Sequence, residues 1–307
     1  RGAGREGNCM FKFRGKYYMC ASDLYGWDSS HAYYLVADDI YGPYVPKDSM
    51  EVMDGCMTDY AHVTQTGFFV TVRGTKQETV VYCGDRWADF AGNGLGYNQW
   101  CPLSFNGDRP FFNSLSAWEL NATTGEWRVA KGNNYVLNGS FEADRRSIPN
   151  PVKPRQEFLR GWKTEFIKGN KVTIGNPDSL TLNYFNTRDD RLHVVGEKSL
   201  NITDVVDFER RVSQQITAMP YVDLPDGTYS LTAKVCYGGD FDRLVMYAES
   251  GAGREARNLN RGKQGRWQQM RIKEVKVSGG RVAVGFHAKG KAGAYCRIDD
   301  VALTRIK

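Results

Sequence analysis

The sequence predicts an all-β protein built in two parts. Short segments rich in Tyr, Val, Phe, Ile and Thr recur between Gly, Asp, Asn and Pro turns, and apolar residues hardly ever repeat with a helical period. The chain has 307 residues, 41% of them hydrophobic, which is enough for two domains with well-filled cores. The sequence changes character near Gly132, before a Pro-rich segment. We therefore predict one β-domain over residues 1–132 and another over 133–307.

The first domain has the strand spacing of β-propeller blades. Strands are predicted near residues 8–13, 16–22, 32–38, 60–65, 68–73, 79–84, 99–105 and 116–120. Turns such as Arg14-Gly15-Lys16 join them as antiparallel hairpins. Blades of about 40–50 residues fit this spacing, so the domain holds two or three blades, and a closed propeller needs about four or more. We expect either that blades precede residue 1 in the native polypeptide or that this domain is not a propeller.

The second domain is predicted to be a two-sheet jelly roll, a form of β-sandwich. Its strands are expected near residues 171–174, 179–184, 192–196, 208–218, 227–237, 243–248, 267–277, 281–287 and 295–305. Eight or nine strands with connections of Greek-key length favour this architecture.

Composition excludes several classes of protein. No stretch approaches the ~18 apolar residues of a membrane-spanning helix, and the first residues lack the apolar core of a signal peptide. The chain has seven Cys, no C-x-x-C and scattered His, which argues against a zinc site. Most cysteines lie within apolar strands and are predicted to be buried free thiols; these are Cys9, Cys20, Cys83, Cys101 and Cys296.

Positive charge is concentrated in the second half of the chain. Residues 1–133 carry 12 Lys and Arg against 15 Asp and Glu, whereas residues 134–307 carry 29 against 20. A basic domain attracts acidic polysaccharide, nucleic acid or anionic membrane. The alternative is an ordinary solvated surface, because these cations are spread over many turns.

The first domain has the composition of a carbohydrate cleft. Five of the seven Trp lie before residue 133, close to an acid at Glu6 and the charged aromatic segment "CGDRWADF" at 83–90. Sugars present apolar faces to aromatic rings and hydroxyl edges to carboxylates and Arg. Core packing explains most of these Trp equally well.

Several ordered motifs resemble glycoside hydrolase family 43, in its exo-β-1,3-galactanase branch. They are "EGNCMFKFRGKYYMCASDLYGW" at 6–27, "GDRW" at 84–87, "YNQWCPLSF" at 97–105 and "AWELNATTGEW" at 117–127. The resemblance implies the last blades of a five-bladed propeller that cleaves glycosides with inversion. A protonated carboxyl then donates to the leaving oxygen while water attacks the opposite face of the sugar.

The resemblance also implies roles for individual residues. Glu6 matches the catalytic acid, and Gln65 matches a glutamine that positions the attacking water. Trp27, Asp85 and Arg86 match substrate-binding positions. The family's other catalytic groups come from earlier blades, so we expect the native enzyme to extend N-terminally by well over a hundred residues.

Two positions depart from the family pattern. Asn8 stands where Pro is usual, which leaves the segment that holds Glu6 less restrained in φ. His31 replaces a commoner Asn, which would alter a substrate contact.

The second domain resembles a galactose-binding-like jelly-roll carbohydrate-binding module. The matching segments are "NGSFE" at 138–142, "GW" at 161–162, "LPDGTYSLTAKV" at 224–235, "RW" at 266–267 and "IDDVAL" at 298–303. The resemblance implies a structural Ca²⁺ ion held by Glu142 and Asp299; the alternative is that these acids only end strands. Trp162 and Trp267 are expected in the core rather than at a ligand.

The sequence therefore predicts an inverting glycoside hydrolase that acts on a galactose-containing plant polysaccharide and carries an accessory glycan-binding module. Alternatives are an α-L-arabinofuranosidase or β-xylosidase, a non-catalytic glycan-binding protein, and a basic sandwich that docks an anionic polymer such as pectin. We expect a polysaccharide or oligosaccharide partner, no nucleic acid, no membrane span and no catalytic cofactor. The location is expected to be secreted, periplasmic or at the cell surface. Linkage and oligomeric state are left open.

Overall fold

The computed structural model describes residues 6–22, 32–46, 65–86, 97–113, 115–141, 159, 161–170, 191–196, 198–218 and 222–307. All regular elements in these ranges are strands, as predicted. None of the ranges contains a helix long and apolar enough to cross a membrane. The strands are β1 (Glu6–Phe13), β2 (Lys16–Ser22), β3 (Ala32–Ala37), β4 (Val45–Pro46), β5 (Gln65–Arg73), β6 (Glu78–Arg86), β7 (Tyr97–Asn106), β8 (Arg109–Phe112), β9 (Trp118–Leu120), β10 (Trp127–Val129), β11 (Lys163–Lys168), β12 (Leu200–Thr203), β13 (Phe208–Thr217), β14 (Gly227–Gly238), β15 (Phe241–Ser250), β16 (Gly253–Asn258), β17 (Gln268–Val277), β18 (Arg281–Gly290) and β19 (Tyr295–Arg305).

The first eight strands form two antiparallel sheets that share one core. Each sheet joins strands in sequence order, β1-β2-β3-β4 and β5-β6-β7-β8. Alternation along β1 buries Phe11 and Phe13 and exposes Lys12, as one half-buried face requires. Phe11 stacks on Tyr18 of its own sheet and meets Phe69 of the other, both at 4.6 Å between ring centroids. The β1 strand therefore packs against β5.

The six cysteines in the described ranges are free thiols. Five are buried, as predicted for Cys20, Cys83, Cys101 and Cys296, and Cys9 is half-buried. Burial raises the pKa of the Cys83 thiol to about 11. Burial, together with the nearby Cys83, raises the pKa of Cys9 to about 12. These groups stay protonated near neutral pH, so they are poor nucleophiles and poor metal ligands.

Two consecutive asparagines connect the first sheets to the rest of the chain. The Asn133 side-chain oxygen accepts hydrogen bonds from the amides of Ser116 and Ala117, at 3.0 and 3.3 Å, beside the β9–β10 hairpin. The Asn134 side chain accepts from the Leu303 amide at 2.9 Å and donates to the Val301 carbonyl at 3.0 Å, both in β19. The predicted boundary after residue 132 falls just before this pair and stays a prediction.

The second part is a two-sheet sandwich around a single core. A five-stranded sheet of order β11-β13-β18-β15-β16 faces a four-stranded sheet of order β12-β19-β14-β17. Trp162 is 4% exposed, packs against Phe141 and Phe286, and donates its indole N–H to the Asn138 carbonyl at 3.1 Å. This confirms its predicted place in the core. Trp267 is half-buried and donates to the Arg191 carbonyl at 3.0 Å.

The predicted strand at 192–196 is wrong, because those residues form turns and bends. The amides of Val194 and Val195 donate to the Asp299 carboxylate, at 2.7 and 2.8 Å, instead of to a neighbouring strand. Six strands were not predicted, namely β4, β8, β10, β11, β12 and β16. The predicted strands at 171–174 and 179–184 lie outside the described residues.

A buried ion pair ties one end of the sandwich together. Arg210 of β13 and Asp204, after β12, are 0% and 1% exposed and form a charged hydrogen bond. Asp204 also accepts from the backbone and side-chain N–H groups of Asn170, both at 2.8 Å. Arg210 donates to the carbonyls of Asn170 and Thr203 as well. Buried charges persist when they are paired and hydrogen-bonded in this way.

Candidate functional site

The two predicted catalytic residues lie at the same end of the first two sheets. Glu6 begins β1 and pairs with Ser22, the last residue of β2. Gln65 begins β5 and pairs with Asp85 near the end of β6. Antiparallel pairing places the start of β1 beside the end of β2 and the start of β5 beside the end of β6, and β1 packs against β5 between the two sheets.

A close contact between backbones joins Glu6 to Gln65. Gly7 has φ +62°, and a Cβ atom at this position would lie 2.2 Å from the Thr66 carbonyl oxygen and 3.5 Å from Gln65 Cγ. Only a residue without a side chain fits such an approach. The residues that follow Glu6 and Gln65 therefore touch directly.

Ser22 of β2 also contacts Thr66, the residue that Gly7 approaches. Its side chain is fully buried, and its hydroxyl oxygen accepts a hydrogen bond from the Thr66 amide at 2.7 Å. Ser22 is also the register partner of Glu6. One buried hydroxyl thus fixes the start of β5 against the β1–β2 pair.

Irregularities in both strand pairs adjoin the candidate residues. The β1–β2 register shifts between Glu6 and Cys9, and the β5–β6 register shifts between Thr66 and Phe68. Bulges bend a strand and redirect side chains, and they are common next to active sites. Each irregularity therefore follows closely after a candidate residue, while Glu6 and Gln65 both keep their cross-strand partners.

Two orphaned polar atoms lie one residue further into the sheet. Thr66, Gly84 and Gln99 pair in one row across β5, β6 and β7. Thr66 Oγ1 and Gln99 Oε1 are buried, and neither has a hydrogen-bond partner among the residues that the structure describes. Buried polar atoms are normally hydrogen-bonded, and a bound water or a polar ligand would provide the partner here.

The predicted substrate-binding residues are only partly placed. The backbones of Asp85 and Arg86 end β6, where Asp85 pairs with both Gln65 and Asn98. These two residues therefore reach the same edge as Glu6, while their side chains lie outside the described part of the chain. Trp27 also falls outside the described residues.

Asp299, the predicted calcium ligand, is occupied by backbone amides. It is fully buried in β19, and its two oxygens accept from the N–H groups of Val194, Val195 and Asp300 at 2.7–2.8 Å. Its visible role is to hold segment 191–196. Glu142 lies outside the described residues, and the described ranges contain no cluster of three metal-ligating side chains. These residues do not by themselves make a calcium site, and the ion stays a prediction.

Sequence reasoning missed Gly7, Ser22, Thr66 and Gln99. Gly7 carried a usable signal, because a glycine after a candidate acid is typical of close backbone approach. The other three are polar residues at strand ends, where their partners are set by how β1 packs on β5.

Gly7→Ala tests the close contact, and Gly15→Ala is its matched control. Both glycines have positive φ, but a Cβ atom on Gly15 meets nothing within 4 Å. We expect Gly15→Ala to cost about 1–2 kcal/mol for the left-handed backbone alone. Gly7→Ala should cost about 1–3 kcal/mol more, from overpacking against Thr66. Urea denaturation of the two variants measures the difference, and equal losses would contradict the contact.

Comparisons with known proteins give structural matches only. No family model matches the chain, and no curated protein matches it. An exo-β-1,3-galactanase from Phanerochaete chrysosporium, solved with galactose, is similar over 98% of this chain and 57% of its own, at 18% identity and a TM-score of 0.39. An exo-β-1,3-galactanase from Clostridium thermocellum is similar over 98% of this chain and 58% of its own, at 15% identity and a TM-score of 0.37.

The module TmCBM61, solved with β-1,4-galactotriose, is also similar to this chain. It matches over 56% of this chain and 99% of its own, at 20% identity and a TM-score of 0.42. The chain spans little more than half the length of the two galactanases. All three matches have less than 25% identity and a TM-score below 0.5, so they are distant likenesses.

Proposed function

We propose that this chain belongs to a secreted, inverting glycoside hydrolase that releases galactose from the end of a β-1,3-linked galactan. Glu6 is the general acid, and Gln65 holds the attacking water. Asp85, Arg86 and Trp27 bind the sugar, and the sandwich is an accessory glycan-binding module. Calcium is not needed for the chemistry.

One observation supports this proposal above the others. Glu6 and Gln65 are far apart in sequence, and the family resemblance assigns them complementary roles. The contact of Gly7 with Thr66 brings their backbones together at one strand edge. Ser22 fixes that edge with a buried hydrogen bond. An acid and a water-positioning group that cleave the same glycosidic bond must first lie in the same place.

The chemistry follows from the two side-chain types. A protonated Glu6 donates to the departing glycosidic oxygen, and the Gln65 amide accepts from and donates to a water on the opposite face of the sugar. Inverting enzymes keep these two groups about 6.5–9.5 Å apart so that the water fits between them.

The β5-β6-β7-β8 sheet has an exposed apolar face, which is consistent with a larger propeller. Phe68 and Trp100 flank Cys83 in one cross-strand row, and each is 49% exposed. Val70, further along β5, is 40% exposed. An apolar row of this kind is suited to packing against another sheet. The proposal requires further blades, and this face offers one of them a surface.

Product analysis of the full-length protein tests the proposal. We expect incubation with β-1,3-galactan to release free galactose, and proton NMR at early times to show the α-anomer first. Release of arabinose or xylose from the corresponding substrates, without galactose, would assign the alternative hydrolase activities. Binding of galactan without any release would assign a glycan-binding protein instead.

A further inference from the structure

We propose that the sandwich carries a second binding site, a basic groove between β16 and β17 that takes a carboxylate-bearing polysaccharide. The groove is built from the end of β16, the loop over residues 259–267 and the start of β17. It belongs to a different part of the chain from Glu6 and Gln65, so it does not depend on the proposed hydrolase activity.

Positive charge is strongly concentrated here. Residues 253–273 contain seven Lys and Arg and a single acid, Glu255, a net charge of +6 that equals the formal charge of the whole chain. All seven cations are exposed; they are Arg254, Arg257, Arg261, Lys263, Arg266, Arg271 and Lys273. Charge of one sign concentrated in one segment costs repulsion in the free protein and attracts anions.

Most of these cations have no acidic partner in the part of the chain that the structure describes. Arg254 has an ion-pair partner, Glu249, at 3.8 Å. Arg257 donates to the Arg271 carbonyl at 3.2 Å, and Arg271 donates to the Ser230 hydroxyl at 2.8 Å, so these contacts are to neutral acceptors. Within the described ranges, no carboxylate pairs with Arg261, Lys263 or Arg266. Among the described residues, the charge of these three side chains is therefore uncompensated.

Two of these cations, Arg257 and Arg261, line a cavity of suitable size. It has a volume of about 590 Å³ and is lined by Arg257, Asn258, Arg261, Gln268, Gln269 and Met270, among others. Sites for small ligands occupy roughly 300–1,000 Å³. The cavity therefore accommodates one or a few sugar units of a longer chain.

The loop that forms one wall is held in place by the rest of the sandwich. The Gln268 side chain donates to the Lys263 carbonyl at 2.7 Å and accepts from the Lys263 amide at 3.1 Å. The Tyr237 hydroxyl donates to the Gly262 carbonyl at 2.5 Å, and Leu259 is fully buried. Because this wall is already ordered in the free protein, binding does not incur the entropic cost of ordering it.

The lining favours an anionic sugar over a neutral one. Arg presents a planar fork of donors that matches a carboxylate in two parallel hydrogen bonds. The amides of Asn258 and Gln269 suit the hydroxyl groups of a sugar ring. Among the described residues, the lining has neither an acid nor an aromatic ring. Neutral glycans and single-stranded nucleic acids both rely on aromatic stacking, so a uronate-containing polysaccharide fits better.

Calorimetric titration of the whole chain with polygalacturonate tests this site. We expect saturable binding that weakens as salt is raised. Arg257→Ala with Arg261→Ala should weaken it tenfold or more, because each charged hydrogen bond is worth about tenfold in affinity. The corresponding double change to Lys should lose part of the affinity. Lys131→Ala with Arg281→Ala removes two exposed cations elsewhere and should change it less than twofold.

Three results would overturn the proposal. They are the absence of saturable binding to polygalacturonate, equal affinity in the Arg257→Ala/Arg261→Ala variant, and tighter binding of a 20-nucleotide thymidine strand through the same two arginines. The last would make nucleic acid the partner. An unchanged urea unfolding curve for each variant shows that lost binding reflects lost contacts.

Discussion

Glu6→Gln lowers the rate of galactose release from β-1,3-galactan by about 10²- to 10⁴-fold in the full-length protein, the contribution of a positioned general acid. Gln keeps the size and hydrogen-bonding capacity of the side chain but has no acidic proton to donate. Galactan binding should therefore change little. Initial rates and a separate binding titration measure the two effects.

Glu78→Gln is the matched control for that change. Glu78 begins β6, so it lies at the opposite end of that strand from Asp85, and it pairs with Arg73 at 3.4 Å. We expect this variant to keep its activity. A Glu6→Gln variant that releases galactose as fast as Glu78→Gln would remove Glu6 from the mechanism.

Asp204→Ala is expected to cost the sandwich about 3–5 kcal/mol of unfolding free energy, because Arg210 is then left as an unpaired buried charge. The Asn170 backbone amide and side-chain N–H group lose their acceptor at the same time. Urea unfolding followed by the fluorescence of core Trp162 reports this loss.

Two further variants separate the buried pair from a general charge effect. Replacing both partners, Asp204→Leu with Arg210→Met, should recover much of the stability, since removing a buried pair as a whole is often nearly neutral. Asp207→Ala removes an exposed carboxylate that pairs with Lys291 at 3.3 Å and should change stability little. An Asp204→Ala loss no larger than that of Asp207→Ala would contradict the account.

The Asp204 carboxylate also makes the free energy of unfolding depend on pH. Burial by itself raises the pKa of Asp204, but hydrogen bonds from Asn170 and the charge of Arg210 outweigh it and leave that pKa below its ordinary value. Because the Asp204 pKa is lower in the folded state, this carboxylate contributes its full stabilisation above its unfolded-state pKa, near about 4. The contribution is lost as the pH falls through the folded-state pKa. This part of the acid dependence should disappear in the Asp204→Leu/Arg210→Met variant.

The all-β class and most strand positions were predictable because the local pattern decides them. β2 and β19 coincide with their predicted bounds, since each is rich in apolar residues and begins just after a turn that contains Gly. β16 has the sequence GREARN and is exposed throughout, so it carries no apolar signal and exists because β15 pairs with it. The predicted strand at 192–196 had the apolar signal but lost its amides to Asp299.

The sequence indicated candidate residues for the site but not the residues that bring them together. Glu6 and Gln65 were named from motifs, and the structure places both at one strand edge. The residues that bring them together, Gly7 and Ser22, act through contacts between separate sheets. Such contacts depend on how the sheets pack, which no local sequence pattern contains.

The leaving-group dependence of a Glu6 variant tests the central claim most directly. The dinitrophenolate of a 2,4-dinitrophenyl β-galactoside leaves without being protonated. The sugar hydroxyl that leaves during galactan cleavage needs a proton. If Glu6 is the acid, Glu6→Gln in the full-length protein slows galactan hydrolysis by about 10²- to 10⁴-fold and slows dinitrophenyl release by less than about tenfold. Equal losses on the two substrates would show that Glu6 serves binding or structure and would contradict the assignment.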